Sequence, residues 1–364
     1  MTDTRVHILY EIKDGPWGGG NQFLRTLKKY FQSRGVYEDE VVQADVVLFN
    51  SHQHIKEVSK AKFRHRRTLF VHRIDGPMKL YNKMSDRRDD IVSAANRYIA
   101  DATVFQSNWS RKQNYQMGLS KSNIDTVISN APDATIFNRR NRARFIPGRR
   151  VRLIATSWSP NWKKGFAVYQ WLDENLDLDK YEMNFIGKTP IEFKNIRHIQ
   201  PAPCRDVAAF LKQSDIFVFA SPIEACSNCL LEALHCGLPA VGINQSSTPE
   251  LIARGGEVFD RPEQIPELLE KILNRYGEYQ AAIGNPSMDQ VGKQYYDFMN
   301  EVRRRIKSRQ CKRRSFGLIA YARLSSILRE WRRFKNMPPS QRADLMESNR
   351  QVAADESFCP ETSM

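Results

Sequence analysis

Ser221-Pro222-Ile223-Glu224-Ala225-Cys226-Ser227-Asn228-Cys229-Leu230-Leu231-Glu232-Ala233-Leu234-His235-Cys236-Gly237-Leu238-Pro239 is the stretch on which the reading of this chain turns. The apolar run Asp215–Ala220 before it has the composition of a buried strand. Ser227 and Asn228 are suited to cap a helix, and Gly237 with Pro239 supplies a stop. The segment therefore predicts strand, loop and short helix, with Glu224 in the loop and Glu232 inside the helix. The unpaired N–H groups and positive dipole end of a helix N-terminus suit a phosphate. Two acids flanking such a site suit the uncharged ends of a nucleotide-sugar. The plainer alternative is an acid that complements the dipole and a solvated helix glutamate. Eight helical steps separate positions by about 12 Å and leave them about 80° apart in azimuth. Carboxylates that act together on one glycosidic bond stand about 5–9.5 Å apart, so hydrolase-type pairing is disfavoured.

Outward from this motif the chain alternates strand-like and helix-like segments. Val6–Tyr10, Val46–Phe49, Thr68–Val71, Ala102–Phe105 and Asp125–Ile128 read as strands; Asn21–Arg34, Asp89–Ile99 and Ser110–Met117 read as helices. Asn138–Arg150 is polar and basic, with Pro147-Gly148, and reads as a linker. The alternation restarts with strands at Val151–Ala155, Tyr181–Ile186, Ile196–Ile199 and Ala240–Ile243, and helices at Gly165–Asn175, Cys204–Gln213, Pro266–Tyr276 and Met288–Ile306. Gly277 is expected to end the third of these helices. Such alternation predicts parallel sheets, and its restart predicts two Rossmann-like α/β domains with a cleft between them at the strand C-terminal ends. The expected division is residues 1–140, a linker at 141–150, a second domain at 151–285, a crossover helix at 286–307, a basic amphipathic helix at 308–336 and a disordered tail at 337–364.

At 364 residues the chain has room for two cores. No run approaches the roughly 18 apolar residues of a membrane span, and Met1–Tyr10 lacks a signal-peptide pattern. A cytoplasmic setting with reduced cysteines is therefore expected. Cys226, Cys229, Cys236 and His235 invite a zinc reading, but no second CxxC pair exists to wrap an ion, so small buried thiols are expected and no metal. Of the net charge of +15, twelve units fall between Arg303 and Lys335, where thirteen Lys and Arg meet one acid, Glu330. The basicity thus belongs to a C-terminal extension, which argues against nucleic acid as a partner of the whole protein. Within it Phe316, Ala320, Leu324, Ile327, Trp331 and Phe334 form one helical stripe. The stripe serves two expectations equally: peripheral attachment to an anionic membrane through residues 312–335, or packing back on the N-terminal domain.

Glu224-x7-Glu232 continued by Ala233–Pro239 resembles the motif of family-four, group 1 retaining glycosyltransferases of GT-B fold. Gly18-Gly19-Gly20, Asn130-Ala131-Pro132-Asp133 running to Phe137, Lys164-Gly165-Phe166 and Pro249-Glu250-Leu251-Ile252 resemble further segments of that family in order, across about residues 5–305. The resemblance implies that Glu232 accepts hydrogen bonds from the nucleotide ribose and that Glu224 contacts the transferred sugar. It implies that Lys164 neutralises the diphosphate, with main-chain N–H groups near Ser227, Asn228 and Cys229 as further donors. Charge that grows on the leaving diphosphate is stabilised by such fixed cations and dipoles. The triple glycine lacks the G-x-G-x-x-G spacing, so Gly19 and Gly20 are expected to bring backbone close to donor or acceptor; a flexible turn is the alternative. His72, after the strand Thr68–Val71, is expected at a strand end facing the cleft, where it suits a proton shuttle or a sugar contact; capping the Asp75-Gly76-Pro77 turn is the alternative. Trp158 and Trp162 suit stacking on a sugar or packing between domains.

The chain departs from the family at Ser159, where a second diphosphate cation is usual, and at Ser227, where glycine is usual. Lys163 is a candidate substitute for the missing cation. The implied activity is retaining transfer of a sugar from a UDP- or GDP-sugar type of donor to a glycan or lipid-linked acceptor, with no obligatory cofactor. Two other readings stay open: a catalytically weak binding subunit, motivated by Ser159 and Ser227, and a nucleotide-sugar epimerase.

Overall fold

The computed structural model describes residues 3–13, 18–82, 86–122 and 124–338. Of the expected glycine-rich loop Asp14–Gly20, residues 14–17 lie outside these described residues, as does the expected tail from residue 339 onward; Gly18–Gly20 are not loop but the first turn of the helix Gly18–Ser33. Two wholly parallel sheets form two α/β domains. The first holds β1 (Val6–Leu9), β2 (Val46–Asn50), β3 (Leu69–Ile74), β4 (Ala102–Phe105) and β5 (Asp125–Val127), side by side in that order, with a bridge from Val6 to Tyr37 beyond β1. The second holds β6 (Val151–Ser157), β7 (Tyr181–Gly187), β8 (Arg197–Ile199), β9 (Ile216–Phe219), β10 (Ala240–Ile243) and β11 (Gly256–Phe259), in the order β11-β10-β9-β6-β7-β8. Strand order reverses between β6 and β9. A crevice opens at such a switch point, outside the carboxyl ends of the strands.

The strands read as continuous apolar runs because both sheet faces are covered. Every residue of β2, β4, β9 and β10 is buried. The helix Met288–Lys307 leaves the second domain and packs into the core of the first. Val291, Tyr295, Met299 and Val302 are buried there with Phe23, Leu27 and Phe31 of the helix Gly18–Ser33. Gly292 permits that approach, because a Cβ there would lie 2.4 Å from the Tyr30 ring.

Several boundaries differ from expectation. β3 runs on through His72 and Arg73 to Ile74. The helix expected to stop at Gly277 stops instead at Asn274, and Gly277 lies inside the next helix, Tyr276–Ala281. The C-terminal helix is Leu318–Asn336; residues 312–317 before it are in neither helix nor strand. That segment is tied to the first domain: the Arg314 N–H donates to Asp101 (2.8 Å) and Arg313 donates to the Thr68 carbonyl (2.6 Å). The apolar stripe then packs inward. Phe316 and Leu324 are buried, and Ala320, Ile327 and Trp331 pack beside them against the helices Ile55–Arg64 and Arg88–Tyr98. No described helix is long and apolar enough to cross a membrane.

Candidate functional site

A cleft of about 680 Å³ lies between the domains, lined by carboxyl ends of strands from both sheets. On the second-domain side, the loops after β6 and β9 bracket the switch point. The loop after β6 makes a short 3-10 turn, Trp162–Lys164, capped by the Asn161 side chain, which accepts from the Lys163 N–H. Gly165 then turns at φ +86°, and a Cβ there would lie 2.2 Å from the Ala220 carbonyl oxygen. Only glycine lets the backbone press this close to the end of β9. That contact carries Lys164 across to the other loop, where its ammonium pairs with the Glu224 carboxylate. The Ser221 hydroxyl also donates to Glu224 (2.9 Å). Burial draws Lys164 downward, but the Glu224 carboxylate, with a smaller charge contribution from the Tyr81 phenol, outweighs it and holds Lys164 above its ordinary range; the ammonium also lies 5.0 Å over the Tyr81 ring.

Ser227 caps the helix Asn228–His235; its hydroxyl accepts from the Leu230 N–H (3.4 Å) and touches the Cys229 sulfur (3.1 Å). The serine that departs from the family pattern is therefore occupied with helix capping. Asn228 points across the cleft. It donates to the Gly19 carbonyl (2.6 Å) and accepts from Asn130 (2.8 Å). Gly19 is constrained by this, since a Cβ on it would stand 2.7 Å from the Asn228 amide nitrogen; Gly20 faces open space. Glu232 lines the same cleft one turn further along the helix. Its carboxyl has no hydrogen-bond or ion-pair partner among the described residues, and burial pushes it up to about 8.

Beside Gly19 and Gly20, which were expected there, the first-domain wall is made by residues that sequence reasoning missed as site groups. Asp75 follows β3 and is, among the described residues, the one carboxylate that the first domain contributes to the lining. It accepts from Arg73 (3.2 Å), Asn50 (3.4 Å) and Gln106. Arg73 is fully buried, donates to Asn50 (2.5 Å) and Asn130 (2.7 Å), and lies 4.7 Å over the Phe23 ring. The buried guanidinium thus fixes a row of polar side chains along the cleft floor. The signal available in sequence was Arg73 and Asp75 two positions apart across a strand end, a spacing that puts both side chains on one face while the backbone stays extended.

His72 is not among these residues. It sits inside β3, fully buried, stacked on Phe49 at 4.3 Å, with its ring nitrogens bonded to the Ser51 carbonyl (2.9 Å) and the Asn96 side chain (3.2 Å). Burial pushes it down to about 4. The expected strand-end position belongs to Asp75, because β3 is longer than its apolar run. Lys163 does not turn to the site either; its ammonium donates to the Leu80 (3.1 Å) and Asn82 (3.3 Å) carbonyls. Lys188, at the end of β7, does line the cleft and has no ion-pair partner among the described residues. Trp158 lines the cleft; Trp162 is half exposed and packs on Phe166.

A shallower hollow of about 880 Å³ lies between the helices Asn108–Gln116 and Met288–Lys307, but its acids are already paired, Asp125 with Arg111 and Glu301 with Arg304 and Arg305. Among the described residues no group of three His, Cys, Asp or Glu side chains could hold a metal ion.

This architecture, two parallel α/β domains facing a cleft, is the GT-B fold. Residues 176–276 match the family described as "Glycosyl transferases group 1". No curated protein sequence matches the chain. Among solved structures the chain is similar to HepE of Anabaena in complex with UDP-glucose, at 12% identity and TM-score 0.58, over 83% of this chain and 99% of that one. It is similar also to sucrose-phosphate synthase of Thermosynechococcus elongatus, at 11% identity and TM-score 0.56, over 84% and 98%. A third is the catalytic domain of starch synthase IV of Arabidopsis thaliana bound to ADP and acarbose, at 10% identity and TM-score 0.53, over 79% of each chain.

Proposed function

We propose that this chain is a retaining glycosyltransferase that takes a nucleotide-diphosphate-sugar as donor. The observation that carries the reading is the Lys164–Glu224 pair, held at the switch point beside the helix N-terminus that Glu232 follows. This reading assigns the cation and N–H dipoles to the diphosphate and the two acids to the sugar and the ribose. In this reading Glu232 meets the ribose hydroxyls, and Lys164 leaves Glu224 to face the diphosphate while Glu224 takes the sugar hydroxyls. The N–H groups at Asn228 and Cys229 add donors to phosphate, and Lys188 supplies the second cation that Ser159 does not. Asp75 faces from the opposite wall, where the acceptor hydroxyl enters.

As the sugar–phosphate bond breaks, its electron pair goes to the leaving diphosphate; the acceptor oxygen bonds the same carbon on the same face, and its proton passes to that diphosphate. Fixed positive charge that strengthens as the leaving group gains charge lowers the barrier. Because Lys164 and main-chain N–H groups supply that charge, the reaction in this reading needs no obligatory metal.

The test is turnover on a panel of UDP- and GDP-sugars with and without chelator, comparing the native chain with Lys164→Ala. Release of nucleoside diphosphate that survives chelation and falls at least about a hundredfold in Lys164→Ala supports the reading. Isomerised donor marks an epimerase, and donor binding without turnover marks a binding subunit; either outcome overturns transfer.

A further inference from the structure

The apolar stripe of the C-terminal helix is spent on the first domain, which leaves the opposite face of Leu318–Asn336 to be explained. That face carries Leu318 and Ile319, which are 73% and 75% exposed, at its N-terminal end. Towards its other end stand Arg329, Arg332 and Arg333, all exposed and with no ion pair among the described residues. Arg323 stands at the flank, also exposed. At 100° per residue Leu318, Ile319, Arg329 and Arg333 fall within about one third of the helix circumference, turned away from buried Leu324.

An apolar pair with a cluster of unpaired cations along about 28 Å of helix matches one kind of partner, the surface of an anionic bilayer. The apolar side chains enter the acyl boundary while the guanidinium groups meet lipid phosphates. Duplex nucleic acid would reward the cations but leave two large aliphatic side chains in water. We infer that this outward face docks the chain on an anionic membrane surface.

The docked position has a consequence for the cleft. Arg87 pairs with Glu330 of the helix (3.2 Å), and the next residue, Arg88, lines the cleft. A bilayer against the helix therefore lies beside the first-domain lip of the cleft. That placement suits an acceptor carried by the membrane, a point that rests on the glycosyltransferase reading; docking itself does not.

The experiment is flotation of the full chain, without donor, on phosphatidylcholine–phosphatidylglycerol vesicles and on pure phosphatidylcholine. Two variants are compared with the native chain: Leu318→Ser with Ile319→Ser, and Arg329→Glu with Arg332→Glu and Arg333→Glu. Circular dichroism and melting verify folding, since all five side chains are exposed. Selective flotation with the anionic vesicles, falling at least about tenfold in the charge-reversed variant and weakening in the serine variant, supports the inference. Equal flotation on both vesicle types, no loss in either variant, or binding to a DNA duplex with none to vesicles overturns it. A chain that floats but turns over no nucleotide-sugar refutes the catalytic reading alone.

Discussion

Glu232 is the residue whose environment makes the sharpest demand. Its carboxyl rises from the usual 4.5 to about 8 because its partly buried place in the cleft disfavours its charge and, among the described residues, no cation stands against it. A folded-state value above the unfolded one means that the neutral carboxyl costs the fold nothing below about pH 4.5. Stability is then lost as pH climbs through 8. Glutamine keeps the shape without the charge, so Glu232→Gln is expected to melt with the native chain at pH 5 and above it at pH 9, by about 2–4 °C for each kcal/mol recovered. In the proposed role the carboxylate accepts from two ribose hydroxyls, which favours its charged form. Native chain should therefore release a proton on binding nucleotide near pH 7, visible as a buffer-dependent binding enthalpy. Glu232→Gln should release none and bind about tenfold or more weakly. A variant that binds nucleotide as tightly as the native chain removes Glu232 from the ribose site.

Among the elements, those set by local chemistry were the legible ones. β9 and the helix after it were readable because apolar run, cap and stop all lie within two dozen residues; Ser227 and Gly237 perform the roles their types suggest. The end of β3 was not readable, because His72 and Arg73 are buried by partners distant in sequence: Ser51, Asn96, Asn50 and Asn130. A polar residue bonded in this way looks in sequence like the end of a strand. The polar row of the cleft's first-domain wall, Asn50, Arg73, Asp75 and Gln106, went unseen for the same reason. The C-terminal helix was readable as amphipathic, while the choice of surface for its apolar face depended on a buried anchor. Lys62 and Asp101 form that anchor, 2.6 Å apart and almost wholly buried, with the N–H groups of Phe70 and Arg314 also donating to Asp101. Removing one partner of such a pair strands the other charge, so Asp101→Ala is expected to cost about 3–5 kcal/mol in urea unfolding. Protease cleavage around residues 308–318 should rise in parallel, since the Arg314 tether is lost as well. A cost below about 1 kcal/mol, with unchanged cleavage, would show that the helix is held by its apolar face alone.

At the scale of the whole molecule, Phe137 enters the second domain's core, and the walls of the cleft are joined by polar contacts. Asn228 bridges Gly19 and Asn130, Lys163 reaches the Leu80 and Asn82 carbonyls, and Glu250 accepts from the N–H groups of Asn108 (2.9 Å) and Trp109 (2.7 Å). Glu250 in effect caps a first-domain helix from the second domain, a charge-assisted contact at the positive end of a dipole. Being exposed, it is worth about 0.3–1 kcal/mol, which is little for folding but enough to bias an equilibrium between open and closed clefts. Glu250→Ala is therefore expected to leave melting within a degree or two of the native chain while enlarging the radius of gyration in small-angle scattering. The covalent crossover by Met288–Lys307 still holds the domains together, so the change is a wider cleft and not separation. Saturating nucleotide should narrow the difference between variant and native chain, because a ligand gripped from both walls restores closure through its own differential affinity. Identical scattering from the two free chains would mean that Glu250 does not help to hold the cleft closed.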